Sequence, residues 1–341
     1  MTATSRQWVV AARPIGRALS EDDWRLETAA VAPVGEGQVK LRTDWLSFDP
    51  AQKSWMENIA GYVDPVEIGG LMPGAGLGEV LESSHADFAP GDLVTGPTGW
   101  REIAVLDGAR LARVPEGVPP TAALGVLGGT GKTAYLAFVE VGKPKPGDTV
   151  VISGAAGATG SIVGQIAKLM GCKVIGIAGG ADKCAWLVDE LGFDAAIDYK
   201  AGKIRGGLKQ HCPNGIDIFF DNVGGDILND AMARLAAGAR VVICGGISRY
   251  NADPRDPEQM PPGPRNYFNV VFTGATLQGF LLPRYEAQFP VAERRLADWV
   301  RSGALRYRED IQTGFDNAPQ TLMRLFDGRN FGKQLLRVSP A

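Results

Sequence analysis

The chain is poor in the residues from which catalytic metal sites are built. Its 341 residues include two histidines, His85 and His211, and four cysteines that all lie in the second half. A catalytic zinc normally draws His, Cys and carboxylate ligands from one domain. The sequence therefore predicts no catalytic zinc, and His85, in a polar stretch, is expected to be a solvated loop residue.

Other signals are missing as well. The cysteines form no CxxC pair, so we expect four buried reduced thiols at Cys172, Cys184, Cys212 and Cys244. A net charge of −3 gives no basic excess for nucleic acid or an anionic membrane. No apolar run approaches the roughly 20 residues of a membrane span, and the opening MTATSRQWVV does not resemble a signal peptide. We expect a cytoplasmic protein with no nucleic-acid or membrane partner.

The composition is that of a globular protein. Hydrophobic residues make up 45% of the chain and charged residues 21%, and the length suggests about two domains. The first third contains short segments with strand character at 38–42, 78–81 and 93–95, separated by Gly- and Pro-rich turns. This pattern predicts a compact, barrel-like β domain.

The middle of the chain has a different pattern. The segment Thr149–Ser153 reads TVVIS, an unbroken β-branched run typical of a buried parallel strand. A Gly-rich turn, a segment with helical spacing at 161–170 and a second strand at 173–177 complete a βαβ unit. The alternation continues with a helix near 183–191 and strands at 195–198, 216–220, 240–244 and 276–280. The sequence therefore predicts an α/β fold with a doubly wound, Rossmann-type parallel sheet.

The turn after the first of these strands is a candidate cofactor site. It reads GAAGATG from Gly154 to Gly160, a GxxGxxG variant of the dinucleotide fingerprint. Small residues let the backbone approach a pyrophosphate, and the N-terminus of the next helix offers free N–H groups. The order strand, turn, helix, strand favours a dinucleotide over an ordinary tight turn. The segment 129–133 resembles a P-loop, but Val126 stands where a P-loop needs Gly, so ATP and GTP are not expected.

The end of the second strand indicates which dinucleotide binds. An NAD site usually carries an acid there for the ribose hydroxyl, whereas this chain has Ala178-Gly179-Gly180. Lys183 follows and can pair with a 2′-phosphate, which favours NADP. NAD stays open if the side chain of Asp182 faces the ribose, and Lys183 could instead be a solvated helix residue.

Several motifs occur in a characteristic order along nearly the whole chain. The longest runs from Val150 to Lys200, and the others are Asp49-Pro50, Gly99-Trp100, 140–144, 221–225, 244–251 and 330–333. Together they resemble the zinc-independent medium-chain dehydrogenase/reductases. This family includes prostaglandin reductase, plant alkenal double-bond reductase and bacterial NADPH-dependent curcumin reductase.

The resemblance implies a fold and an activity. A GroES-like substrate domain would comprise residues 1–126 and 306–341, beside a Rossmann NADP-binding domain at 127–305. The family reduces the carbon–carbon double bond of α,β-unsaturated ketones and aldehydes with NADPH and without a metal, and a homodimer is expected.

The resemblance also implies cofactor contacts at matching positions. The pyrophosphate would lie against Gly157, Ala158, Thr159 and Gly160, and the 2′-phosphate against Gly179, Lys183 and Tyr199. The ribose and nicotinamide would be lined by Asn222, Cys244, Gly245, Ile247, Ser248, Tyr250, Phe280, Leu281, Leu282, Asn330 and Gly332.

This chain departs from the family pattern in three places. Ala51-Gln52-Lys53 replaces Tyr-Met-Arg or Ala-Met-Arg, which bears on the substrate range. Gly180 replaces a Ser, which would weaken the phosphate contact slightly, and Lys132 replaces a hydrophobic residue.

Enone reduction needs a hydrogen-bond donor at the carbonyl oxygen, where negative charge develops once hydride reaches the β-carbon. Without zinc or a suitable His, a phenol or the cofactor ribose hydroxyl is expected to serve. The resemblance makes Tyr250 the first candidate, although it could merely order the ribose. Tyr62 is a second candidate that could equally be a packing aromatic. The alternatives are an NADPH:quinone oxidoreductase and a non-catalytic NADPH-binding protein.

Overall fold

The computed structural model describes residues 3–58, 63–261 and 263–339, and the candidate Tyr62 lies outside them. The chain divides into two compact units, one formed by Met1–Gly125 with Glu309–Ala341 and the other by Val126–Arg308. The C-terminal segment thus belongs to the same unit as the N-terminal third.

Strands and helices follow one another along the whole described chain. The strands are β1 (Thr4–Val10), β2 (Trp24–Ala30), β3 (Gln38–Ser47), β4 (Gly76–Ser83), β5 (Leu93–Gly96), β6 (Ile103–Asp107), β7 (Ala112–Arg113), β8 (Thr149–Ser153), β9 (Lys173–Ala178), β10 (Ala195–Asp198), β11 (Ile216–Asp221), β12 (Leu235–Ile243), β13 (Thr276–Gly279), β14 (Glu309–Thr313) and β15 (Lys333–Arg337). The helices are α1 (Ala51–Glu57), α2 (Gly129–Leu136), α3 (Ala158–Leu169), α4 (Ala181–Ala185), α5 (Ile204–His211), α6 (Gly225–Met232), α7 (Asn269–Thr273), α8 (Phe289–Arg301) and α9 (Ala318–Phe326).

The first unit is β-rich. A sheet runs in the order β14-β15-β3-β4-β5-β7, with β6 paired to β3, and β1 and β2 form a separate antiparallel ribbon. The strands predicted at 38–42, 78–81 and 93–95 are present and longer than expected. The first continues to Ser47 because Val39, Leu41 and Leu46 along it are all fully buried.

The second unit is a parallel sheet in the order β10-β9-β8-β11-β12-β13. The strand order reverses between β8 and β11, and ligands of doubly wound sheets bind at the carboxyl ends of the strands beside such a switch. The two strands beside the switch, β8 and β11, are apolar because helices cover both faces of the sheet, as the fully buried Val151 and Phe219 illustrate. The predicted α/β fold class is confirmed.

Several element boundaries differ from the sequence prediction, and three of them bear on the site. The helix expected at 183–191 is α4 followed by a π-helical turn, Trp186–Glu190. The strand expected at 240–244 begins earlier and ends at Ile243, and that expected at 276–280 ends at Gly279. Cys244 and Phe280 therefore lie just beyond their strands, in the loops at the carboxyl edge.

Two burial expectations were wrong. The His85 side chain is 23% exposed rather than solvated; its ring packs on Phe88 with centroids 5.3 Å apart, and its Nδ1 accepts a hydrogen bond from the Asp87 N–H at 3.2 Å. All four cysteines are free, but only Cys172 and Cys212 are fully buried, while Cys184 and Cys244 are half-buried. Among the described residues, no helix has the length and apolarity to cross a membrane, and no group of three His, Cys, Asp or Glu could hold a metal ion.

Candidate functional site

The turn between β8 and α3 is shaped for close approach of a ligand to the backbone. Gly154 has φ +59°, a conformation that favours glycine. Gly157 is the N-cap residue of α3, and no side chain caps the helix, so its first N–H groups stay open. A Cβ on Gly160 would lie 2.6 Å from the Gly154 carbonyl oxygen and 2.8 Å from the Ala155 Cα, so only glycine lets the helix lie this close to the turn.

Gly160→Ala is expected to displace the first turn of α3, because both clashing atoms are backbone. We expect NADPH affinity to fall about tenfold, with a loss of unfolding free energy of about 1–3 kcal/mol. Calorimetric NADPH titration and thermal unfolding measure the two effects. Gly202→Ala is the matched control, since nothing lies within 4 Å of its added Cβ. Wild-type NADPH affinity in Gly160→Ala would contradict this account of the turn.

Strand β9 ends at Ala178 in the structure, so Gly179 and Gly180 stand where an NAD site usually carries an acidic residue. A Cβ on Gly179 would lie 2.8 Å from the Cζ and Oη atoms of Tyr199, so the phenol ring lies against this glycine. Lys183 is half-buried in α4, and Asp182 is exposed in its first turn. Gly180 has φ +101°, a conformation that a Ser would adopt only with strain.

Asp198 fixes the backbone of the same corner. Its Oδ1 accepts hydrogen bonds from the N–H groups of Gly180 and Lys200, both at 2.9 Å. These backbone bonds hold the pKa of Asp198 below its usual value. The Asp198 carboxylate therefore stabilises the turn at Gly180.

Asp221, which sequence reasoning missed, ties the ends of β8 and β11 together. Its side chain is fully buried, and its Oδ1 accepts from Ser153 Oγ at 2.7 Å and from the Val223 and Gly224 N–H groups at 3.0 Å. Burial raises the pKa of Asp221. The available sequence signal was an acid ending the apolar run IDIFFD.

The loops after β11 and β12 meet at this edge. Asn222 Nδ2 donates to the Ser153 carbonyl at 2.7 Å, and the Ile247 N–H donates to the Asn222 carbonyl at 3.3 Å. Ser248 Oγ donates to the Val223 carbonyl at 2.6 Å. The N–H groups of Cys244 and Gly245 donate to the Asp221 carbonyl at 2.9 and 3.0 Å. The structure therefore brings four of the sequence-predicted residues together with Asn222, namely Cys244, Gly245, Ile247 and Ser248.

Tyr250 closes this loop. It follows the short helical turn Ile247–Arg249, is half-buried, and its N–H donates to the Ile247 carbonyl at 3.3 Å.

Burial raises the pKa of the Cys244 thiol to about 12, which keeps it neutral and unsuited to nucleophilic chemistry.

The residues after β13 lie at the same edge of the sheet. The Phe280 N–H donates to the Ile243 carbonyl at 3.0 Å, and its ring stacks on Tyr285 with centroids 4.7 Å apart. Leu281 and Leu282 follow and are half-buried.

Asn330 and Gly332 belong to the first unit. Asn330 Nδ2 donates to the Gly332 carbonyl at 3.2 Å, which closes a tight turn before β15. Lys333, 5% exposed, donates to the Phe48 carbonyl at 3.0 Å and to Asp49 Oδ1 at 2.5 Å. One lysine thus joins the Asn330 turn to the Asp49-Pro50 motif, a contact that no local sequence pattern reveals.

The other departures from the family pattern hold structure together. In α1, Gln52 donates to the Pro73 carbonyl at 3.0 Å, while the buried Lys53 donates to the Pro14 carbonyl at 3.0 Å and pairs with Glu57. These two side chains therefore anchor the helix. Lys132 pairs with Glu293 at 2.9 Å, and its ammonium lies 4.6 Å from the centroid of the Phe289 ring.

A parallel six-stranded sheet with a glycine turn at its switch point, joined to a β-rich unit, defines a class of dinucleotide-binding oxidoreductases. Family models agree: residues 6–114 match the N-terminal domain of oxidoreductase and residues 158–298 match the zinc-binding dehydrogenase model. The chain is 41% identical to the NADPH-dependent curcumin reductase of Escherichia coli (strain K12), covering 98% of this chain and 97% of that one. It is 37% identical to the NADP(+)-dependent 2-alkenal reductase of Nicotiana tabacum, covering 94% and 93%.

A solved structure gives the same result. The crystal structure of CurA in complex with NADPH from Vibrio vulnificus matches with a TM-score of 0.91 and 38% identity, covering 98% of this chain and 100% of that one. The chain belongs to the zinc-independent medium-chain dehydrogenase/reductase family, as its motifs indicated.

Proposed function

We propose that the protein uses NADPH to reduce the carbon–carbon double bond of α,β-unsaturated ketones and aldehydes, with hydride added at the β-carbon. The observation that carries this proposal is the near full-length similarity to relatives named for curcumin and 2-alkenal reduction. The glycine turn at the switch point supports it by offering a dinucleotide site in the same chain.

The residues at the carboxyl edge of the second unit fit NADPH. Gly157 to Gly160 would hold the pyrophosphate, because no side chain caps the start of α3 and its first N–H groups stay open. Gly180 leaves open space for a 2′-phosphate, the ring of Tyr199 lies against Gly179, and Lys183 follows in α4. The loops at Asn222, 244–250 and 280–282 would hold the ribose and nicotinamide. When bound, the cofactor supplies the hydride.

Tyr250 would then donate a hydrogen bond to the substrate carbonyl oxygen as negative charge develops there. It lies in the loop that Asp221, Asn222 and Ser153 fix, so its position is set by the sheet edge. Tyr62 stays the second candidate donor.

We also propose that the first unit acts as the substrate domain and the second as the cofactor domain. We propose further that the protein works in the cytoplasm, which suits four free thiols.

An exposed surface supports the expected homodimer. Strand β13 is the edge of its sheet and all four of its residues are exposed. Beside it, α7 and the preceding turn expose Tyr267, Phe268, Val271 and Phe272 by 65%, 56%, 65% and 77%. An uncovered edge strand flanked by aromatic residues suits pairing with the same edge of a second copy.

Phe272→Asp is therefore expected to convert a dimer into a monomer, since a charge would be buried at the centre of this surface. Sedimentation equilibrium measures the mass. Leu169→Asp, at an exposed leucine of α3 outside this surface, should leave the dimer intact. A wild-type monomer would remove the homodimer from the proposal.

NADPH consumption tests the activity itself. The full chain is assayed with an enone, with the saturated ketone of the same skeleton and with a quinone. We expect turnover with the enone and none with the saturated ketone. Preferential turnover of the quinone would favour a quinone oxidoreductase, and binding of NADPH without turnover of any substrate would favour a non-catalytic protein.

A further inference from the structure

Arg101 is a half-buried cation without an acidic partner among the described residues. It precedes β6 and forms an antiparallel bridge with Gln7 of β1. Its Nε donates to the Thr98 carbonyl at 2.7 Å, and burial lowers the pKa of its guanidinium. Arg6, by contrast, pairs with Glu102 at 2.6 Å. A partly desolvated guanidinium is often accompanied by a compensating anion.

A cavity of about 120 Å³ lies against Arg101, within the first unit. Its lining residues are Ser5, Gln7, Ala29, Ala30, Val31, Ala32, Arg101, Ile103 and Val105. The space corresponds to about four water molecules. No nitrogen of Arg101 is both shut off from solvent and without a hydrogen-bond partner. The terminal N–H groups of its guanidinium therefore keep contact with solvent.

The other polar groups of the cavity are already occupied. Ser5 Oγ accepts from the Ile103 N–H at 2.9 Å and donates to the Arg6 carbonyl at 3.2 Å. Gln7 Nε2 donates to Glu27 Oε1 at 2.9 Å. Among the lining side chains, the uncommitted donors therefore belong to Arg101, and the remaining six lining residues are aliphatic.

We propose that this cavity binds a short-chain monocarboxylate, with its carboxylate on Arg101 and its alkyl tail against the aliphatic wall. A guanidinium presents a planar fork of donors that matches a carboxylate. By volume, the cavity suits an acid of roughly two to four carbons. An inorganic oxyanion would leave several of its oxygens facing methyl groups, which disfavours it. The site shares no residue with the proposed NADPH site and does not depend on the reductase activity.

Calorimetric titration of the full chain with sodium butyrate, at constant ionic strength, tests the proposal. We expect one weak site per chain, and at least tenfold weaker binding in Arg101→Gln. Arg110→Gln, which changes an exposed arginine of the same unit, is the matched control and should bind as the wild type does. Inorganic phosphate and butylammonium, each titrated alone, should bind at least tenfold more weakly than butyrate.

A second variant fills the cavity and leaves the cation in place. Ala29 lines the cavity and is half-buried, so Ala29→Leu should abolish butyrate binding while thermal unfolding shows a folded protein. This variant keeps the proposal testable if Arg101→Gln fails to fold. The proposal is overturned if the wild type binds no butyrate, if Ala29→Leu binds it normally, or if phosphate binds as tightly.

Discussion

Tyr250→Phe is expected to slow the hydride-transfer step about 10²- to 10³-fold, the usual loss when one donor to a developing oxyanion is removed. The hydrogen bond strengthens only as charge forms on the substrate oxygen, so kcat should fall more than KM rises. NADPH affinity should change little, because the loop carrying Tyr250 is held by backbone bonds to Asn222 and Asp221.

Single-turnover reduction from a saturated NADPH complex separates this role from a structural one. Tyr267→Phe, which removes a phenol hydroxyl from a 65% exposed side chain, is the control and should behave as the wild type. If Tyr250→Phe shows a normal single-turnover rate with weakened NADPH binding, the tyrosine only orders the ribose. The donor would then be the ribose hydroxyl, a bound water or Tyr62.

Lys183→Ala is expected to weaken NADPH binding by about 1.5–3 kcal/mol, the range for a hydrogen bond to a charged group. NADH binding should not change, because NADH lacks the 2′-phosphate. The preference for NADPH should therefore shrink about tenfold to hundredfold. Equilibrium titrations with both cofactors measure the ratio.

Lys209→Ala is the matched control, since Lys209 is an exposed lysine on α5 of the same unit. Equal affinity of the wild type for NADPH and NADH would contradict the reading of Gly179, Lys183 and Tyr199 as a 2′-phosphate site. The exposed Asp182 would then be the first residue to test for a contact with the ribose.

The second unit could be predicted from sequence because its strands carry their signal locally. Segments such as Thr149–Ser153 and Ile216–Asp221 are unbroken apolar runs, and strands buried on both faces require that pattern. The glycine turn could be placed because strand, turn and helix follow one another directly. The family motifs supplied the rest of the proposed cofactor contacts, which local patterns do not mark.

Contacts between distant segments could not be predicted. Asp221 accepts from Ser153, 68 residues earlier, and Lys333 reaches Asp49 across 284 residues. Such partners depend on the tertiary fold, so neither residue could be distinguished from an ordinary strand-end charge. The packing of His85 against Phe88 was missed for a related reason, since a polar neighbourhood in sequence does not exclude an aromatic contact in space.

The most direct test of the account follows the transferred hydrogen. The full chain is given an enone and NADPH deuterated at the transferable position, and the product is analysed by NMR and mass spectrometry. The account predicts a saturated ketone with one deuterium on the former β-carbon and an intact carbonyl group. Deuterium on the carbonyl carbon, giving an allylic alcohol, would contradict it.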